Sequence, residues 1–155
     1  SMTGGRIKRA QEIVGDQQFF LTYGDGVSDI NIDDLLKAHN NFGGSMTMTS
    51  VQPDGRFGTF EAKDNGQVSS FIEKPSGQGS WINGGYFVCE PEIFQYIPDG
   101  LDIVFEKEPL GNIAGKSKLF AYQHNGFWKC MDTLKDKQEL QILWEKGNPP
   151  WKKWI

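Results

Sequence analysis

The chain has 155 residues, 37% hydrophobic and 23% charged, with a formal net charge of -4. That length supports a real hydrophobic core, and the mildly acidic balance lacks the basic face that a general nucleic-acid binder carries. With two cysteines, no Cys-x-x-Cys and no histidine cluster, the composition argues against structural zinc, and no apolar run approaches the length of a membrane span.

The start, Ser1-Met2-Thr3-Gly4-Gly5-Arg6, enters without a preceding strand, as expected of the middle of a larger fold. Thr3-Gly4-Gly5 reads as a loop and cap region. Ile7, Ala10, Ile13 and Val14 then have helical spacing. Phe19 to Tyr23 is a short apolar run stopped by Gly24 and reads as a buried strand. A helix over Ile32 to Asn40 follows, capped by Asn31 or Asp29 and ended by Gly43-Gly44. Ser45 to Val51 alternates and reads as a strand, which completes a parallel strand-helix-strand unit and an α/β class.

Phe57 to Ala62 and Gln67 to Ile72 are short strands around an Asn65-Gly66 turn, and Pro75 to Ser80 is a loop. Trp81 to Cys89 is a strand broken by Asn83-Gly84-Gly85. Pro91 opens a helix reaching Ile97. Phe105 to Ala114 has helical spacing, interrupted by Pro109, and Lys118 to Gln123 reads as a strand. Leu134 to Lys146 is the clearest helix, capped by Asp132 or Thr133, with Leu134, Leu140, Ile142, Leu143 and Trp144 as its apolar side. The two prolines after it predict an extended arm whose Trp151 and Trp154 call for a covering surface such as another subunit.

Several residues carry chemistry. Asp25 sits between Gly24 and Gly26 at the carboxyl end of a strand, where open α/β sheets bind their ligands. There it is either a ligand for a hard cation such as Mg²⁺ or half of a hairpin turn. Asp132 also ends an apolar run and opens a helix, so it is an N-cap, a second cation ligand, or both. Glu73-Lys74 is either an exposed ion pair or a sugar-and-phosphate contact, with Lys74 as a point charge. Asn83-Gly84-Gly85 marks a bulge or the close approach of a ligand. Thr3-Gly4-Gly5-Arg6, and similarly Arg56, read as weak anion sites. His39 reads as a helix-surface residue and His124 as a loop residue, with no Ser/His/Asp triad to join. Cys89 and Cys130 read as buried free thiols.

In order and spacing, Met2-Thr3-Gly4-Gly5-Arg6, Tyr23-Gly24-Asp25-Gly26, Gly55-Arg56-Phe57-Gly58, Glu73-Lys74-Pro75, Ile82-Asn83-Gly84-Gly85 and Phe127-Trp128 with Met131-Asp132-Thr133 resemble the sugar-1-phosphate nucleotidyltransferases. The resemblance covers essentially the whole chain. It implies that Asp25 and Asp132 hold Mg²⁺, that Lys74 binds the sugar phosphate and Glu73 the sugar hydroxyls, and that Asn83 and Gly85 shape the sugar pocket. Gly24, Arg6 and Ser1 would touch the nucleotide, and Arg56 would bind substrate. Asp25, Lys74 and Asp132 would be the catalytic set. The partners implied are a nucleotide and a sugar 1-phosphate, with no nucleic acid, no membrane, a cytoplasmic location and a homo-oligomeric state. The product would be a nucleotide sugar of the kind used for O-antigen and lipopolysaccharide. The tail and the Thr3 to Arg6 region favour cytidine as the base, with UTP, dTTP and GTP as alternatives.

One departure is as informative. The family's Gly-rich loop holding Arg and Thr, and the Lys-Pro motif after it, have no counterpart in this chain. The expectation is therefore a partial Rossmann-like nucleotide-diphospho-sugar transferase fold with a mixed sheet and its N-terminal half missing. Residues 1–155 would be the C-terminal portion of the domain, inactive alone and prone to self-association through an uncovered sheet edge. Two competing readings are a non-catalytic sugar-binding or interaction domain, suggested by the many aromatics, and a metal-dependent glycosyltransferase, weakened by the lack of an Asp-x-Asp pair around Asp25.

Overall fold

The computed structural model describes residues 1–53, 59–62, 67–72 and 81–154. Its elements are α1 (Thr3–Val14), β1 (Phe19–Thr22), β2 (Gly26–Ser28), α2 (Ile32–Phe42), β3 (Met46–Val51), β4 (Thr59–Ala62), β5 (Val68–Ile72) and β6 (Ile82–Cys89). A 3-10 helix (Pro91–Tyr96), α3 (Glu108–Gly115), β7 (Leu119–His124), β8 (Trp128–Cys130) and α4 (Leu134–Glu145) complete the order. The chain forms two compact units, one of Ser1–Gly24, Ile30–Thr49 and Gly84–Gln123, the other of Asp25–Asp29, Ser50–Asn83 and His124–Ile155.

The first unit is α/β. A four-stranded sheet has the order β1-β6-β3-β7, so β1 and β3 of the expected strand-helix-strand unit are not neighbours. β6 lies between them and runs antiparallel to β1, with Phe19 opposite Cys89 and Thr22 opposite Tyr86. The sheet is covered on both faces. Phe87 and Cys89 of β6 pack with Ile7, Phe94, Phe105 and Ile113 on one side. Val88 packs with Ile30 and Leu35 on the other. This two-sided cover explains β3, whose Met/Thr alternation separates two buried faces rather than core from solvent, since Met46, Thr47 and Thr49 are all fully buried. β1 is the reverse. It stands at the sheet's edge with alternating burial, and Phe20 is 50% exposed, so it is not the buried strand its sequence suggests.

α1 begins earlier than its apolar spacing predicts, because Gly4 and Gly5 are helical and buried. A Cβ on Gly4 would stand 2.6 Å from Ile103 Cγ2 and 2.8 Å from the Ile103 carbonyl, and one on Gly5 would stand 2.6 Å from the Gly100 carbonyl. The glycines serve helix-to-loop contact here. Pro109 starts α3 instead of interrupting it, at the position where proline's missing N–H costs nothing.

His39 departs most from expectation. It is 1% exposed, with Nδ1 2.7 Å from Thr47 Oγ1 and Nε2 3.0 Å from Glu90 Oε1. Gln18 Nε2 donates to the same Glu90 oxygen at 2.6 Å. A helix-surface reading failed because both partners of His39 lie outside its own helix.

The second unit contains the antiparallel β4-β5 hairpin, the short β2-β8 ribbon and α4. Only Asp136 and Leu140 of α4 are buried, while Leu134, Ile142 and Trp144 are 70%, 51% and 49% exposed, so the expected apolar side is mostly open. His124 ends β7 and is no bare loop residue. Its Nε2 lies 2.9 Å from Asp29 Oδ1 and 3.2 Å from the Phe127 carbonyl. Beside it, Trp151 packs on Phe127 with ring centroids 5.5 Å apart, and Lys153 Nζ lies 3.5 Å from Asp29 Oδ2.

Candidate active site at the end of the β2-β8 ribbon

Asp25 and Asp132 lie far apart in sequence and come together through the ribbon. β2 and β8 pair Gly26 with Cys130, Val27 with Lys129 and Ser28 with Trp128. One step beyond, the Met131 N–H donates to the Asp25 carbonyl at 2.7 Å. Asp25 and Asp132 therefore leave the same end of the same ribbon. Neither strand was expected, because three-residue strands are too short to show an alternating pattern.

The carboxylates differ in their surroundings. Asp25 is exposed, and its side chain has no hydrogen-bond or ion-pair partner among the described residues. Asp132 is also exposed and accepts the Cys130 thiol at 3.3 Å. Cys130 is thus half-buried and hydrogen-bonded, not fully buried as expected, whereas Cys89 is buried and its thiol pKa is pushed up by burial and then by Glu90. Asp132 is not the cap of α4. Thr133 takes that role in a capping box with Asp136, accepting the Asp136 N–H at 3.1 Å. Both predicted ligands therefore keep hard oxygen donors that the local fold does not consume. Among the described residues no group of three or more His, Cys, Asp or Glu could hold a metal ion. Paired carboxylates suit Mg²⁺, a cation that keeps waters and substrate phosphates as its other ligands.

Asp136 was missed by sequence reasoning, although Thr-x-x-Asp before a helix is a legible capping signal. It is 7% exposed. Its Oδ2 accepts the Thr133 hydroxyl at 2.8 Å, the Thr133 N–H at 3.0 Å and the Asp132 N–H at 3.3 Å. Lys129 Nζ lies 3.7 Å from its Oδ1 and 2.6 Å from Glu139 Oε2. The hydrogen bond to Glu139 holds the Lys129 pKa above its ordinary value against partial burial, and the same bond holds Glu139 below its own.

The remaining predicted residues fall elsewhere. Ser1 and Arg6 lie in the first unit at the start of α1, both exposed, and Ser1 Oγ accepts from Arg9 Nη2 at 2.8 Å. The expected backbone anion site beside them is already partly used, since the Gly4 N–H donates to the Ile103 carbonyl at 2.8 Å. Gly85 is in a left-handed conformation with φ 79°, and a Cβ there would meet Tyr23 Cδ2 at 2.9 Å. The close approach its glycine permits is therefore that of Tyr23, whose N–H donates to the Gly85 carbonyl at 3.0 Å. Asn83 is half-buried in β6. Gly24 is exposed, and a Cβ on it would meet nothing among the described residues within 4 Å. Arg56, Glu73 and Lys74 lie outside the described residues, as does the Asn65-Gly66 turn.

Glu106 was also missed. It accepts the Tyr23 hydroxyl at 2.5 Å and the Thr3 hydroxyl at 2.8 Å. Burial pushes its pKa up, but these two hydroxyls and the backbone outweigh it and leave the carboxyl below its ordinary value. Nothing local in the sequence signals this contact, because its partners come from the far end of the unit.

A family model for nucleotidyl transferases matches residues 3–129. Glucose-1-phosphate cytidylyltransferase of Salmonella typhimurium is 49% identical over 155 residues, covering 99% of this chain and 60% of that protein. A Bacillus subtilis protein named a probable glucose-1-phosphate cytidylyltransferase is 41% identical over 154 residues, with the same 99% and 60% coverage. Among solved structures, HddC from Yersinia pseudotuberculosis superimposes with a TM-score of 0.64 at 20% identity, covering 89% of this chain and 60% of that one. The α/β fold with a mixed sheet is shared with that structure. The chain spans 60% of the length of the curated relatives it matches.

Proposed function

Given that the chain belongs to the nucleotidyl transferase family, we propose that it is the C-terminal portion of a glucose-1-phosphate cytidylyltransferase, which makes CDP-glucose and pyrophosphate from CTP and glucose 1-phosphate. The 49% identity to the Salmonella protein supports the substrate pair. The single structural observation that supports the reading is the Met131-to-Asp25 hydrogen bond, which joins the two backbone segments that carry the aspartates at one end of the ribbon.

In the proposed reaction a phosphate oxygen of glucose 1-phosphate attacks the α-phosphorus of CTP in line, and pyrophosphate leaves. No protein group is covalently modified. The protein positions the reactants and compensates their charge. Asp25 and Asp132 would hold Mg²⁺, which when bound neutralises phosphate charge and orients phosphate oxygens. Lys74 would set an ammonium against the sugar phosphate and Glu73 would accept from glucose hydroxyls. Arg56, Asn83 and Gly85 would complete the sugar side, and Ser1, Arg6 and Gly24 the nucleotide side. Open space at Gly24 supports close approach by a ligand there. Cytoplasmic location, a homo-oligomeric state and a role in O-antigen or lipopolysaccharide synthesis belong to the same proposal. No helix among the described residues is long and apolar enough to cross a membrane.

The test is a chimera in which this chain replaces the matching segment of the Salmonella typhimurium enzyme. Pyrophosphate release is expected with CTP, glucose 1-phosphate and Mg²⁺, fastest for CTP in a panel with UTP, dTTP and GTP. A folded chimera that releases no pyrophosphate would contradict the proposal, and a preference for another base would move it to a sister enzyme.

A further inference from the structure

We infer that Asp136 is a positioning residue for the cation site, acting through Asp132; the inference rests on reading Asp132 as a cation ligand. Three donors converge on one Asp136 oxygen, and two of them, the Asp132 and Thr133 N–H groups, belong to the turn that carries the proposed ligand. A capping box asks this position to accept only the Thr133 N–H, so the bond from the Asp132 N–H is additional. A buried carboxylate with its other oxygen toward Lys129 does more: it ties the turn to the ribbon itself. Lys129 pairs with Val27 on the ribbon and grips Glu139 on α4, so strand, turn and helix are fastened at one point. The side chain of Asp132 stays exposed while its backbone is held, the arrangement by which outer partners orient a metal ligand.

The experiment is a Mn²⁺ titration of the 155-residue chain at pH 7, read by water-proton relaxation, with thermal unfolding as a control for structure. Asp136→Ala is expected to raise the Mn²⁺ midpoint about tenfold, and Asp136→Asn, which keeps an acceptor but loses the charge, about threefold. Because Asp136 acts through Asp132, either substitution adds nothing to the effect of Asp132→Asn. A residue that only capped the helix would lower the melting temperature in every background and leave the midpoint in place, and that result overturns the inference. So does a midpoint shift that persists in full on top of Asp132→Asn. If Asp136→Ala does not fold, the Asp136→Asn cycle decides by the same criteria. If Asp25→Asn and Asp132→Asn both leave the midpoint unchanged, the cation site itself falls, and the role of Asp136 falls with it.

Discussion

The Asp25 carbonyl accepts the Met131 N–H at 2.7 Å, one step beyond the Gly26–Cys130 pair that ends the β2-β8 ladder. This bond converts two distant Asp-containing motifs into one local feature. It also brings the backbone of Asp25 and the segment that carries Asp132 to one end of the ribbon.

The carboxylates at this ribbon end should be dispensable for folding and essential for chemistry. The Asp25 side chain is exposed and makes no hydrogen bond or ion pair among the described residues, so Asp25→Asn is expected to change unfolding free energy by no more than about 0.5 kcal/mol. In the Salmonella chimera the same substitution should reduce pyrophosphate release by about 10²- to 10³-fold, the scale of losing one preorganised electrostatic contact. Denaturant unfolding and a coupled pyrophosphate assay on the same preparation check both halves.

Two glycines should respond oppositely to alanine. Gly4→Ala pushes a methyl into Ile103 and its carbonyl, and is expected to cost about 1–3 kcal/mol. Gly111 lies within α3 and a Cβ there meets nothing among the described residues within 4 Å, so Gly111→Ala should stabilise by about 0.5–1 kcal/mol through helix propensity and a less flexible unfolded chain. Urea midpoints that move the same way for both would contradict the packing described for α1.

Glu106 should make the first unit acid-sensitive. Its folded pKa is held below the ordinary carboxylate value, so its contribution is present above the unfolded pKa and is lost as pH falls through the folded one. Tyr23→Phe keeps the ring against Gly85 but removes a donor. It should destabilise by a few tenths to about 1 kcal/mol near pH 7, because Glu106 is exposed, and the deficit should shrink below the carboxylate range. Stability curves of both proteins from pH 3 to 7 test this, and a pH-independent difference would rule it out.

The two thiols should separate kinetically. Half-buried Cys130 is expected to react with a thiol reagent in the native state, while Cys89, buried and with its pKa pushed up, should react only through opening of the sheet. Mass mapping of the first modified cysteine decides.

The reach of the sequence was set by the range of each interaction. β3 was legible from its period and α2 from its local cap, Asn31 accepting from Asp33 and Asp34 within its own turn, whereas β6, expected to break at Asn83-Gly84-Gly85, runs unbroken from Ile82 to Cys89. Asp25 and Asp132 were legible as strand-end carboxylates, but the ribbon that joins them was not, since its register is a long-range property. His39 was misjudged because a polar residue on a helix reads as solvated until β3 supplies Thr47 and the residue after β6 supplies Glu90. The apolar residues of α4 predicted a buried side, yet Leu140 alone among them is buried and Leu134 stays 70% exposed, because residue type alone does not say which surface a helix meets.

The most direct measurement is a crystal grown with Mn²⁺ and CDP-glucose, with the ion located by its anomalous signal. The account predicts one site bearing a carboxylate oxygen from both Asp25 and Asp132 at about 2.0–2.2 Å. Ions bound to only one of the two, or to neither, would contradict it.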